Sequence, residues 1–488
     1  MLRLDKEKSD WAKIIAGRAL AFAVLTGVLL AGCGFQTYSP KPLAPADSAA
    51  RYRAHNTNSP DFHTYLLAQG YSESQLPLQK WGLRELTYSA LFFHPQLDVA
   101  RGQWRAAQAA EITAVRRPDL GLSGRLEHHS QSNGGTSPWS YGLSLDYLVE
   151  TANKAQIRLA VASQLSEVAR IAIAQSAWHA RSRLHNSLID YHASLQQARL
   201  LEQEVDLRSE ITAMLAKRLS LGMISSVEIS NPRLQLQKAQ QALQAEQGRA
   251  SELRAALATN AGLPAEAFNQ LELDFSGIAD AAKAPITADM QAEALQNRLD
   301  IRASLAHYAA AEARLRLEIA RQYPDLILSP GYFFDQGDSV WSLGWSTFYT
   351  LLNKNAGLIG EARALREVEA AQFEALQAQV IGDVEQARAR FLAGQEELDK
   401  ARELQVPLQA STHQIEQQFN AGFADRLELT TAKLENLLAA QNQLTVEIRL
   451  QRAASALEDA MQRPLQADAA ILPANIEQGR SDKQGNHP

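Results

Sequence analysis

The side chains that could do chemistry are few and scattered. The 488-residue chain holds one cysteine, Cys33, and 11 histidines. One thiol makes neither an intramolecular disulfide nor a thiolate zinc site, since both need partners. His128 and His129 are adjacent, and His185 and His192 stand one heptad apart on one helical face. No carboxylate or cysteine completes a ligand set beside either pair, so solvated or packed histidines are expected. No phosphate-binding glycine loop, HExxH or GxSxG motif occurs where a strand or helix would use it. The expectation is a protein without catalysis, metal or cofactor. The 48 Lys and Arg against 54 Asp and Glu give a net charge of −6, without the basic stripe that nucleic-acid binding needs.

Cys33 is explained by what precedes it. Arg3, Lys6, Lys8, Lys13 and Arg18 lead into an apolar run over residues 19–31. That run is shorter than the roughly 20 residues a bilayer-spanning helix requires, and it has the layout of a secretory signal. It ends in Leu30-Ala31-Gly32-Cys33, which resembles the bacterial lipobox. The resemblance implies that residues 1–32 are a lipoprotein signal peptide and that Cys33 is the mature first residue, carrying covalent lipid on its thiol. Gly34 in place of Asp implies export to the outer membrane. Acyl chains contribute about 0.8 kcal/mol per buried methylene, so several make a durable anchor.

The remaining chain is long elements in two copies. Leu97-Asp98-Val99 recurs as Leu299-Asp300-Ile301, and PDLGLS from Pro118 recurs as PDLILS from Pro324. Trp139-Ser140-Tyr141-Gly142-Leu143-Ser144 returns as Trp341-Ser342-Leu343-Gly344-Trp345-Ser346. Gly222 with Glu228 returns as Gly422 with Glu428, and Pro264 as Pro464. A period near 200 is too long for a solenoid repeat, so one large unit is duplicated. Each copy reads helix, two strands, very long helix, turn, helix. Period-two alternation marks the strands: Leu120, Leu122 and Leu126, then Trp139, Tyr141, Leu143, Leu145 and Tyr147, joined by the Ser132-Asn133-Gly134-Gly135 turn. In the second copy Leu326, Leu328, Tyr332 and Phe334 face Trp341, Leu343, Trp345 and Tyr349 across Asp335-Gln336-Gly337-Asp338. Residues 155–221 contain neither Gly nor Pro, which predicts a helix about 100 Å long. Gly222 ends it and a second helix over 227–260 returns. The other copy repeats this around Gly422, with a kink expected at Pro407.

Four strands per chain, each with one apolar face, supply no second sheet and leave two open edges. Edges cannot stay open in lipid, and four strands are too few for a barrel, so copies must combine. The sequence resembles the TolC-like outer-membrane factor family, lipoprotein branch, across nearly the whole mature chain. The resemblance rests on Trp81-Gly82-Leu83 with Glu85-Leu86-Thr87, Ala90-Leu91, His94-Pro95-Gln96-Leu97, the duplicated PDLxLS strands, and Phe419-Asn420-Ala421-Gly422 through Leu427-Glu428-Leu429. It implies a mostly α-helical protein with a membrane β-barrel: a homotrimer, a 12-stranded barrel, and a coiled helical tunnel about 100 Å long in the periplasm.

On that plan residues 33–80 are an extended equatorial segment and 81–264 the first repeat, with a β-hairpin at about 118–150 and a helical hairpin over 155–260. Residues 265–285 form an equatorial linker. The second repeat covers 286–466, with its β-hairpin at about 324–351 and helical hairpin over 356–462; 467–488 are a flexible tail. The implied function is the outer-membrane exit duct of a tripartite efflux pump. Its partners would be a periplasmic adaptor (membrane fusion) protein and an inner-membrane pump of the RND type. A type I protein-secretion duct and a non-conducting envelope lipoprotein are the alternatives. The helical tips would meet the adaptor through Arg218, Leu219, Gly222, Ser225, Phe419, Gly422 and Arg426. Trp139, Tyr141, Trp341, Trp345 and Tyr349 would lie at the membrane interface. An acidic constriction is implied six and nine residues beyond the second tip glycine. Glu428 fills the first place, and Thr431 departs from the pattern at the second.

Overall fold

A computed structural model of the chain describes residues 36–130, 137–278, 289–347, 354–465 and 476. The signal peptide, Cys33, the 132–135 turn, Tyr349 and nearly all of the tail lie outside these residues. The chain divides into two compact units, residues 1–52 and 53–488. In the first, the described segment runs into α1 (Pro45–Arg53), which buries no residue.

The second unit begins with α2 (Pro60–Ala68), β1 (Lys80–Trp81), α3 (Leu83–Phe93) and α4 (Pro95–Ala114). The hairpin β2 (Gly121–His128) and β3 (Trp139–Val149) follows, then α5 (Lys154–Ser220), α6 (Ser226–Asn260), α7 (Ala265–Phe268) and β4 (Glu272–Leu273). The same order returns as α8 (Met290–Asn297), α9 (Leu299–Ala320), β5 (Leu326–Asp335), β6 (Asp338–Thr347), α10 (Ala356–Asn420) and α11 (Arg426–Met461). Two helices precede each hairpin where one was expected. His94 is extended because Pro95 follows it, and its Nδ1 accepts from Gln96 N at 3.3 Å, starting α4 afresh. Arg298 makes the equivalent break, bonded to Asp300 at 2.6 Å and to the Ala460 carbonyl at 2.7 Å.

The 67 residues of α5 form one unbroken helix, as the missing Gly and Pro require, and α10 runs for 65. Pro407 lies inside α10 and is solvent-exposed. Neither helix stands alone: α5 packs on α4, α6, α9 and α11, and α10 on α9 and α11.

Two apolar cores fix these helices. One joins Phe62, Trp81, Leu86, Phe93 and Leu97 to Leu184 and Leu188 of α5 and to Leu257 and Phe268. The other sets Val380, Val384 and Phe391 of α10 against Leu450 and Leu457 of α11. Each fully buried Leu or Phe contributes roughly 1.5–3 kcal/mol. The parallel β1–β4 pair ties residues 80–81 to 272–273. Gly262, at φ +76°, lets the chain turn where a Cβ would stand 2.8 Å from Phe93 Cβ. Ile476 of the tail packs at the first core, and its carbonyl accepts from Arg101 at 3.1 and 3.3 Å.

A buried polar cluster joins α5 to α11. Arg181 of α5, 1% exposed, donates through Nη1 to Glu458 Oε2 of α11 at 3.0 Å. His185 Nδ1 lies 3.6 Å from the same oxygen, longer than a hydrogen bond. Leu465 N donates to Glu458 Oε1 at 2.9 Å, and Asp459 accepts from Trp178 Nε1 at 3.0 Å and from Ser182. Burial opposes ionisation of Glu458, yet His185, Arg181 and the Leu465 amide outweigh it and hold its carboxyl below the usual range.

Candidate functional site

The four long strands form one antiparallel sheet in the order β2-β3-β5-β6. Its second hairpin turns at Gln336 and Gly337, both at positive φ, as a two-residue turn of this hand requires. The Tyr332↔Trp341, Leu328↔Trp345, Leu143↔Tyr332 and Tyr141↔Phe334 registers put the large apolar residues on one face. Tyr141 and Phe334 stack at 5.1 Å, and Tyr332 meets Trp341 at 5.0 Å. That face is open: Trp341 is 82% exposed, Leu343 and Trp345 71%, Leu122 70% and Tyr141 50%. Trp139 lies on it too, against His128 at 4.6 Å. The opposite face carries Ser123, Ser140, Gly142, Ser144, Ser329, Gly331 and Ser342 at matching registers. The β3–β5 ladder lapses opposite Pro330, which has no amide to give, and Ser329 Oγ instead donates to Asp146 Oδ1 at 2.6 Å. β2 and β6 each pair on one side only.

One aromatic ring lies on the polar face, which also carries Val340 and, toward the helices, Leu148 and Ile327. Phe333 sits opposite Gly142 and Val340, out of phase with Tyr332 and Phe334. A Cβ on Gly142 would lie 2.1 Å from Phe333 Cδ1, and one on Gly331 2.7 Å from its Cε2, so the ring lies across both glycines. The sequence reading passed over it. The alternation of Leu326, Leu328, Tyr332 and Phe334 already places residue 333 on the other side.

At the far end of the long helices the two tips are built alike. Gly222 and Gly422 adopt φ +72° and +80°. Met223 N reaches the Arg218 carbonyl at 2.9 Å, and Phe423 N reaches that of Gln418 at 2.8 Å, the glycine-ended helix cap twice over. Next, Ser225 N donates to Glu228 Oε1 at 2.9 Å, while Asp425 Oδ1 accepts from Glu428 N at 2.8 Å. These bonds stabilise the anions: backbone donation from Ser225 first lowers the Glu228 pKa, and backbone donation from Glu428, with Arg218 beside it, lowers that of Asp425. The tips are cross-tied, because Arg218 pairs with Asp425 Oδ2 at 2.8 Å and Arg426 with Glu210.

Of the predicted tip residues, Arg218, Ser225 and Arg426 are thus engaged within the chain, Gly222 and Gly422 shape the turns, and Leu219 and Phe419 are half-buried. The largest exposed apolar groups there were missed: Leu221 at 65%, Met223 at 68%, Val227 at 78% and Phe423 at 87%. Met223 and Phe423 each follow a tip glycine, a coincidence visible in the sequence. Glu428 and Thr431 are exposed one turn apart on α11, and the Glu428 carboxylate has no partner among the described residues. The histidine pairs do not converge. His185 is buried beside Glu458, and His192 stacks on Phe275 at 4.6 Å. Among the described residues no metal-holding cluster and no helix apolar enough to cross a membrane occurs.

A wide exposed apolar sheet face on long paired helices is the layout of a membrane-inserted β-sheet with a helical extension. Residues 291–462 match the family described as outer membrane efflux protein. In fold the chain is similar to the outer membrane protein VceC from Vibrio cholerae, with 19% identity and a TM-score of 0.63 over 79% of this chain and 97% of that one. It is also similar to a membrane protein from Pseudomonas aeruginosa, at 18% identity and TM-score 0.64 over 78% and 90%. The MtrE outer membrane channel of Neisseria gonorrhoeae, in its open state, is similar at 15% identity and TM-score 0.61 over 80% and 91%. No curated protein matches the chain by sequence. The likeness to the outer membrane efflux protein family thus covers residues 291–462, and the chain as a whole is similar in fold to VceC and MtrE.

Proposed function

We propose that this protein is the outer-membrane exit duct of a tripartite efflux system, conducting passively what an inner-membrane pump and a periplasmic adaptor deliver. The observation that carries the reading is the sheet: large apolar side chains open on one face, serine and glycine on the other, and unpaired outer edges at β2 and β6. Lipid suits the first face and water the second, while the edges are satisfied when β6 of one copy meets β2 of the next. Three copies give 12 strands, enough to close a barrel. The tips at Gly222 and Gly422, far along helices of 67 and 65 residues, are the adaptor-facing ends. Met223 and Phe423 add exposed apolar contacts to that surface. Cys33 supplies an auxiliary lipid anchor, and Glu428 with Thr431 forms the narrow end.

Mass measurement in mild detergent tests the assembly. The reading expects a trimer of the 53.6 kDa chain, less its signal peptide, and a monodisperse monomer with native helix content contradicts it. Metabolic acyl labelling should mark the wild type and not Cys33→Ser, with both still trimeric. An unlabelled wild type removes the anchor.

A further inference from the structure

We propose that Phe333 is a contact point for organic cations with an aromatic or apolar body as they pass out through the duct, an inference that rests on the polar sheet face lining that duct. Among the described strand residues, Phe333 is the one phenyl, phenol or indole ring on that face. It is half-buried and rests on Gly142 and Gly331, whose missing Cβ atoms leave the floor on which it lies. Val340 stands beside it at the paired position, 41% exposed. Two residue pairs farther toward the turn, about 7 Å along the strands, Asp335 and Asp338 face each other on the same side. Arg125 on this face is already held by Glu127 at 2.6 Å. Asp335 accepts from Ser140, with His129 3.9 Å away.

An apolar ring and an apolar neighbour, with two facing carboxylates one row beyond that no Lys or Arg pairs among the described residues, match a body that is apolar and a charge that is positive. The ring face attracts cations through its quadrupole, and the carboxylates attract them through charge and repel anions. A ring present only to cover the two glycines would show no preference among permeants of equal charge.

The test uses the purified full-length protein in planar bilayers, with benzyltriethylammonium as probe and tetraethylammonium as the ring-free control. Wild type should be blocked more strongly by the benzyl cation. Phe333→Ser should weaken that block roughly two- to fivefold and leave the effect of tetraethylammonium unchanged. Phe333→Leu, which still covers the glycines, guards against misfolding and should lose the same preference. Gly142→Ala places a methyl where the ring now lies, so it should push Phe333 off the sheet and lower unitary conductance; Gly142→Ala with Phe333→Ala should restore it. Conductance with equal block by the two cations in wild type, or unchanged block in both Phe333 variants, overturns the proposal alone. No conductance from wild type overturns the duct reading and the proposal with it.

Discussion

Glu458→Gln should destabilise the protein far more than its one-atom change suggests. Arg181 is 1% exposed, and its Nε and Nη2 already lack partners, so its charge is met chiefly by Glu458 at 3.0 Å. At an effective dielectric near 20 the attraction at this distance is about 5 kcal/mol. The desolvation of the guanidinium persists when the carboxylate is removed, and breaking such pairs costs about 3–5 kcal/mol. Glutamine keeps one acceptor for Arg181 or the Leu465 amide, which points to the lower end, about 3 kcal/mol. Urea unfolding in detergent, read by tryptophan fluorescence, measures it; Trp178 lies 5.0 Å from the Arg181 guanidinium and reports locally. Replacing both Arg181 and Glu458 by Met should recover most of the loss, whereas Lys400→Ala, in an exposed pair with Glu403, should change nothing measurable. The folded carboxyl titrates below its unfolded value, so its contribution is complete at neutral pH and fades as pH falls through that depressed pKa. The gap between wild type and Glu458→Gln should accordingly begin to narrow below about pH 4 and keep narrowing as pH falls farther. A loss under about 1 kcal/mol at pH 7, or a double variant as unstable as the single one, refutes this account of the cluster.

Gly262→Ala should cost about 1–3 kcal/mol in the same urea assay, because alanine is strained at φ +76° and its Cβ would press on Phe93; an unchanged midpoint contradicts this. Asp425→Ala removes both a helix cap of about 1 kcal/mol and the tie to Arg218, so amide exchange over residues 421–430 should quicken more than in Arg218→Ala. Glu428→Gln should weaken block by a trivalent cation from the periplasmic side, whereas Glu228→Gln should not, since Glu228 is spent on capping Ser225. A larger effect at Glu228 puts the constriction on the other tip.

What the sequence disclosed and what it hid divide by range. The helix over Lys154–Ser220 follows from a run without Gly or Pro, and the strands from period two, because these are properties of neighbouring residues. The tip glycines are legible for the same reason: Gly222 and Gly422 end helices wherever those helices go. The Arg181–Glu458 pair spans 277 residues and leaves no periodic trace. The side on which Phe333 stands follows from period two, but that it lies across Gly142 of the neighbouring strand depends on the long-range β3–β5 register. Met223 and Phe423 follow the helix-ending glycines, a position whose apolar side chain frequently packs back on the last helical turn. Their exposure emerges only from the packed structure.

The most direct test of the central claim is electrical. Purified full-length protein reconstituted into a planar lipid bilayer should give discrete, uniform conductance steps if, as proposed, the serine and glycine face lines a shared barrel and Trp341, Leu343 and Trp345 meet lipid. A trimeric, correctly folded preparation that inserts and yet passes no current would contradict the duct and leave a structural envelope lipoprotein in its place.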